Sequence, residues 1–333
     1  VVALMLPQER IAMEVELAVR QLREELDRLL ERHLPREIYQ EFTPLRGKFN
    51  RARLVFCFAV AGGALNQTAA ALAAGVELLH LASLFQDDLV DGSFYRHGRL
   101  TLGQIRGCGM PILLSDWLFG AAYRFFNRCG PDYVSRMNRM LQIMALSELR
   151  QELEAQRGAW LSVFGGWRYN FGKTAIFFAN CCRLGLQSVR NDDRRLKAAG
   201  KIGAWFGMAY QLDNDLQELL AGPPPGKLVD QDRRRGLLTL PLLLLLRRRP
   251  ELAVTIRTAS QPDLLQLLQQ TGVIATCRDL RRNCLSQAQR FLTEMGLNRP
   301  AEDFIARWLQ KNSERYCSAV LTAMGERSAN GSK

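Results

Sequence analysis

The chain has 333 residues, 47% hydrophobic and 23% charged, with 45 Lys and Arg against 33 Asp and Glu, a net charge of +12. That length and apolar content exclude a disordered chain and provide for an ample buried core. The basic balance points to anionic partners, and the spread of Arg along the chain favours a phosphorylated small molecule or an anionic surface over nucleic acid.

The apolar residues are mostly Leu and Ala rather than Val and Ile, and Gly/Pro clusters are few, which favours helices. Gln8–Arg32 carries apolar positions at helical spacing and is ended by His33-Leu34-Pro35. Arg51–Ala74 reads as one long helix with Gly62-Gly63 inside it, and Val76–Asp91 as another that stops at Gly92. Helical blocks follow at Pro111–Cys129, Asp132–Arg157, Gly172–Leu186, Asp193–Leu220, Arg233–Arg249, Pro262–Gly296 (as a pair) and Ala301–Met324. Three consecutive prolines, Pro223 to Pro225, make the clearest loop, since none can continue a helix. Nothing alternates like a half-buried strand. The expected fold is all-α, a single-domain helical bundle over residues 1–333 with buried central helices.

The leucine run from Leu237 to Leu246 is broken by Thr239 and Pro241 and is far short of the roughly 20 residues that span a bilayer. No basic region followed by an apolar core and a cleavage site opens the chain, so a cytoplasmic location is expected. The eight cysteines form no Cys-x-x-Cys pair and read as buried thiols in a reducing compartment.

Chemistry gathers at two helix ends. Asp87 and Asp91 are four apart, so both carboxylates lie on one side of a helix, with Asp88 beside them. Acids at a helix C-terminus repel one another and oppose the helix dipole. An exposed acidic helix end is the bland explanation for one such cluster. Asn214, Asp215 and Glu218 repeat the spacing just before the stop at Gly222-Pro223. Two oxygen-rich helix ends of one layout suit divalent cations, and Mg²⁺ prefers hard oxygen ligands that leave room for substrate phosphates.

Asp87-Asp88-Leu89-Val90-Asp91 resembles the first Asp-rich motif of the trans-isoprenyl (polyprenyl) diphosphate synthase family, and Tyr210-Gln211-Leu212-Asp213-Asn214-Asp215-Leu216-Gln217-Glu218 resembles its second. Gly47-Lys48-Phe49-Asn50-Arg51 is similar to the family's Gly-Lys-x-x-Arg element. His80 stands where the family has a substrate-binding His or Gln, and Arg96-His97-Gly98 resembles its Arg-Arg-Gly. Lys173-Thr174, Gly226-Lys227 with Asp232, and Thr239-Leu240-Pro241 complete the set in family order.

The resemblance implies a helical bundle of the isoprenoid synthase type with a central active-site cavity. It implies head-to-tail condensation of an allylic diphosphate with isopentenyl diphosphate, with Mg²⁺ as cofactor. It places Asp87, Asp88, Asp91, Asn214, Asp215 and Glu218 as metal ligands, with Arg96, Lys173 and Lys227 on the allylic diphosphate. Lys48, Arg51, His80 and His97 would hold isopentenyl diphosphate, and Thr174 and Gln211 would stabilise the allylic cation beside Lys173. A homodimer, and a peripheral membrane contact for product release, are further expectations of the resemblance.

Four positions depart from the family pattern. Asn214 and Glu218 replace aspartates, His97 replaces an Arg, and Leu237 stands where many members have Lys. Small residues at Ala82 and Ser83, where bulky aromatics stop growth early, imply a product longer than farnesyl. The alternatives are a class I terpene cyclase-like enzyme on the same fold and a non-catalytic subunit of a heteromeric synthase. The pairing of Lys48, Arg51 and His80, needed only for a second diphosphate, disfavours the first; the complete first motif disfavours the second.

Overall fold

The structure is a computed structural model that describes residues 6–41, 47–96, 98–221, 233 and 236–323. His97, Lys227 and Asp232 lie outside the described residues. In chain order the elements are α1 (Pro7–His33), α2 (Arg36–Glu41), α3 (Asn50–Gly62), α4 (Gln67–Val90), β1 (Tyr95–Arg96), β2 (Arg99–Leu100), α5 (Leu102–Arg106), α6 (Gly109–Cys129) and α7 (Pro131–Gln156). They continue with α8 (Val163–Asn170), a π-helical turn (Phe171–Ala175), α9 (Ile176–Gln187), α10 (Asp193–Ala221), α11 (Leu240–Arg248), α12 (Ala253–Thr258), α13 (Gln261–Gln270), α14 (Val273–Glu294) and α15 (Arg299–Ala323). Contacts divide the chain into a first unit, Val1–Arg139, Phe178–Lys201 and Phe291–Ile305, and a second, Met140–Phe177, Ile202–Arg290 and Ala306–Lys333.

The first unit is built on α4. Leu72, Ala73, Val76, Leu78, Leu79 and Ala82 are all fully buried, which makes α4 apolar on every side, as a central helix must be. It packs on α6 and α3. Among the described residues α4 alone is long and apolar enough to cross a membrane, and most of that stretch is buried inside the bundle. The break between α3 and α4 falls at residues 63–66, not at Gly75 as the sequence implied. Gly63 has φ +143°, and the Asn66 side chain accepts the Ala69 N–H at 2.8 Å, so a cap starts α4 there. Gly75 serves close approach instead: a Cβ on it would lie 2.4 Å from the Phe126 ring on α6. Gly92, at φ +60°, ends the helix as expected.

A short antiparallel hairpin corrects the expectation of no strands. Tyr95 pairs with Leu100 and Arg96 with Arg99. Strands of two residues cannot display a period of two, so the sequence pattern hides them. Thr101 ties the hairpin to the end of α4, its N–H donating to Phe94 O at 2.9 Å and its hydroxyl to Ser93 O at 2.8 Å.

The second unit has its own core. Leu242 to Leu246 of α11 are buried with Leu216, Leu219, Ile256, Leu264, Leu268 and Val273, so the leucine run is the centre of a helical cluster. The helix expected from Gly172 begins earlier, at Val163, because the Ser162 hydroxyl caps it by accepting the Gly165 N–H at 3.0 Å. Burial pushes the Cys57 and Cys277 thiols up to about 12, so these are inert core cysteines, whereas Cys108 is exposed.

Candidate active site

In the first unit the end of α4 carries Asp87, Asp88 and Asp91. Asp87 and Asp91 are half-buried, and Asp88 is buried and gripped by Arg96, whose Nε lies 2.8 and 3.0 Å from its two oxygens and whose Nη2 lies 2.8 Å from one of them. Burial raises the Asp88 carboxyl above its usual range; Arg96 opposes this, and Asp87 and Asp91 add to it. Two turns deeper, burial holds the His80 imidazole well below its ordinary value, reinforced by Arg51 and Arg96. His80 is therefore a neutral donor and acceptor, not a third cation. Arg51 and Arg96 are the cations that act on His80 here, and Arg96 also grips Asp88.

Glu77 orders Arg51 from below, a role the sequence reading missed. Its buried carboxylate accepts the Ala52 N–H at 2.8 Å and caps α3, whose own N-cap residue, Phe49, has no capping side chain and sits at φ +54°. Burial raises the Glu77 carboxyl, and the Ala52 and Arg51 N–H groups pull it back down. The cap fixes the helix start that presents Lys48 and Arg51. The Arg51 guanidinium lies 5.2 Å from the centre of the Phe178 ring. The signal was present in Glu77-Leu78-Leu79-His80: a lone acid three residues before a candidate ligand, inside an otherwise apolar run.

In the second unit the π-helical turn sets the Lys173-Thr174 pair into a chain of amides and carboxylates. Such π turns concentrate at functional sites. The Thr174 hydroxyl donates to Gln211 Oε1 at 2.7 Å; Gln211 Nε2 donates to Asp215 at 2.7 Å; and Asn170 Nδ2 donates to the other Asp215 oxygen at 3.3 Å. Burial pushes Asp215 up to about 6, against the hydrogen bonds from Gln211, Asn170 and the Leu240 N–H that starts α11. Lys173 pairs with Glu148 at 3.0 Å and donates to the Tyr169 hydroxyl at 2.9 Å, which in turn donates to Glu148. Asn170, Glu148 and Tyr169 escaped the sequence reading because only the fold sets α7 and α8 beside Lys173 and Asp215.

Among the described residues no three His, Cys, Asp or Glu side chains converge into a ready metal cage. The donor set still fits Mg²⁺, which binds through one or two carboxylates and lets substrate phosphates complete its shell. Asp87 and Asp91 on α4, and Asn214 and Glu218 on α10, are half-buried and present such oxygens. Asp213, the acid next to Asn214, is buried in an ion pair with Arg281 at 2.7 Å.

The all-α fold and the order of these elements are those of isoprenyl diphosphate synthases, and the polyprenyl synthetase family profile matches residues 32–269. The chain belongs to that family. It is 33% identical over 220 residues to geranylgeranyl diphosphate synthase of Mycobacterium tuberculosis, a match covering 65% of this chain and 63% of that enzyme's length. It is 29% identical over 219 residues to octaprenyl diphosphate synthase of Escherichia coli, covering 64% of this chain and 67% of that one. Among solved structures it is similar to a polyprenyl synthase from Caulobacter crescentus complexed with calcium and isoprenyl diphosphate, with TM-score 0.79, 25% identity, and coverage of 93% of this chain and 97% of that chain.

Proposed function

We propose that this chain is a Mg²⁺-dependent prenyltransferase that condenses an allylic diphosphate with isopentenyl diphosphate, head to tail. The observation that carries this reading is the Thr174–Gln211–Asp215–Asn170 chain standing beside Lys173 in a fold of this family. Magnesium bound with substrate supplies Lewis-acid charge to the departing diphosphate.

The protein's residues do the rest. Lys48, Arg51 and neutral His80, together with His97, take the isopentenyl diphosphate. Lys173 leaves Glu148 to meet the allylic diphosphate, assisted by Arg96 and Lys227. As the allylic carbon–oxygen bond breaks, Gln211 and Thr174 turn fixed dipoles toward the cation without offering a nucleophile strong enough to trap it. Their mutual hydrogen bond sets those dipoles before reaction, so little reorganisation is needed. The alkene of isopentenyl diphosphate then attacks, forming the new carbon–carbon bond. A proton leaves the adjacent carbon to the departed diphosphate.

Incubation with the allylic diphosphate and Mg²⁺ alone separates this reading from the cyclase-like alternative. No hydrocarbon should form without isopentenyl diphosphate, and a cyclic hydrocarbon would overturn the assignment. Retention of the catalytic chain above argues against a non-catalytic subunit. A homodimer, a peripheral membrane contact for product release, and a cytoplasmic location complete the proposal and rest on the family resemblance and the sequence.

Asn214 gives a neutral oxygen where an acid would attract the metal more strongly. Asn214→Asp should therefore lower the Mg²⁺ concentration for half-maximal rate, read from a metal titration. An unchanged or raised value would remove Asn214 from the metal site.

The product is expected to be longer than farnesyl, because Ala82 and Ser83 leave no aromatic floor before Asp87. Ala82 is fully buried, and its carbonyl accepts the Ser115 hydroxyl of α6 at 3.2 Å. Ala82→Phe should shorten the product, at an overpacking cost of about 1–3 kcal/mol. Product analysis by chromatography checks this; an unchanged length in the folded variant would contradict it. Trp117, a candidate for a lower floor, lies with its ring centre 6.1 Å from that of His33 at the end of α1.

A further inference from the structure

We propose that Arg281 is a positioning residue: by holding Asp213 it fixes the rotation of α10 that presents Asn214 and Glu218, and not Asp213, as metal-facing oxygens. The proposal rests on the reading that this end of α10 receives a metal–diphosphate. Asp213, Asn214 and Asp215 are consecutive, so on a helix their side chains point in directions about 100° apart. One turn onward, Asn214 is followed by Glu218 and Asp213 by Gln217. Each of these pairs combines one acid with one amide. With Asn at 214, charge along α10 does not by itself say which pair should face the substrate.

The surroundings decide. Arg281 on α14 sets its Nε 2.7 and 2.8 Å from the two oxygens of Asp213, and both residues are buried. On the neighbouring side Asp215 is held by Gln211 and by Asn170. The helix is thus gripped at 213 and at 215, and the residues left half-buried on this turn are Asn214, Gln217 and Glu218. Turning Asp213 outward would break a buried ion pair, which a low-dielectric interior strongly opposes. The Arg281 pair therefore acts on metal binding through geometry, without touching metal or substrate.

The test is calorimetric titration of the full chain with Mg²⁺ in the presence of inorganic pyrophosphate, with circular dichroism and melting to report the fold. Asp213→Leu combined with Arg281→Met removes both charges, so no buried ion is orphaned. It should weaken Mg²⁺ binding about tenfold or more, the size of effect seen when groups orienting a ligand are removed. Arg281→Lys keeps the charge but loses the planar fork, and should give an intermediate weakening. Parent-like binding in the folded double variant, or in Arg281→Lys if the double variant does not fold, overturns the proposal. Glu218→Gln separates this failure from that of the underlying reading. If Glu218→Gln binds like the parent, α10 is not a metal face and the proposal falls with it. If only Glu218→Gln weakens binding, the site stands and the role of Arg281 is refuted.

Discussion

Asp87→Ala should lower turnover by a few hundredfold or more while leaving the helical circular dichroism unchanged. Asp87 lies on the last turn of α4, half-buried, with its carboxylate on the same side as Asp91. Neighbouring Asp88 is buried and already paired with Arg96, so it does not make Asp87 redundant. Removing one charge-stabilising contact made in the transition state typically costs about 3–4 kcal/mol, which sets the size of the loss. The carboxylate is not part of the apolar core of α4, so the fold should survive. Steady-state rates at saturating Mg²⁺ and both diphosphates are the measurement. A rate near that of the parent would remove the first acidic cluster from the mechanism.

Gly185→Ala should be the costliest small substitution in the first unit, lowering stability by about 3 kcal/mol. A Cβ at this position would lie 2.1 Å from the carbonyl oxygen of Val55 and 3.0 Å from the Phe58 Cβ, so α9 and α3 meet almost backbone to backbone. A carbonyl in the middle of a helix cannot rotate away, and the two helices must separate, opening contacts around fully buried Phe58 and Leu54. Gly120→Ala on α6 is the matched control, because nothing lies within 4 Å of a Cβ there. It should stabilise by about 0.4–1 kcal/mol through the unfolded chain alone. Urea midpoints of the two variants read both effects. Equal midpoints would mean that α9 does not approach α3 so closely.

The sequence disclosed the chemistry better than it disclosed the element boundaries. The periodicity of Gln8–Arg32 and the acidic ends of two helices were legible because they are local, repeated patterns. The Gly62-Gly63 break was misplaced: both Gly63 and Gly75 are glycines in an apolar stretch. Only the packing of Phe126 on Gly75 tells close approach from a turn. The hairpin at 95–100 was too short to show alternation. The supporting residues were hidden for a different reason. Glu77 acts on Ala52, Asn170 on Asp215 and Arg281 on Asp213, separations of 25, 45 and 68 residues along the chain. No local pattern reports such pairs. Asp213 shows the consequence, since only its ion pair with Arg281 on α14, 68 residues away, distinguishes it from its neighbour Asn214.

The central claim, condensation of two diphosphates, is tested most directly by incubating the chain with radiolabelled isopentenyl diphosphate, an allylic primer and Mg²⁺, then counting label in the extracted prenyl product. The account predicts label in products longer than farnesyl, formed only when primer and metal are both present, and lost in Asp87→Ala. Consumption of primer with no label incorporated, or no reaction by the folded protein, would contradict it.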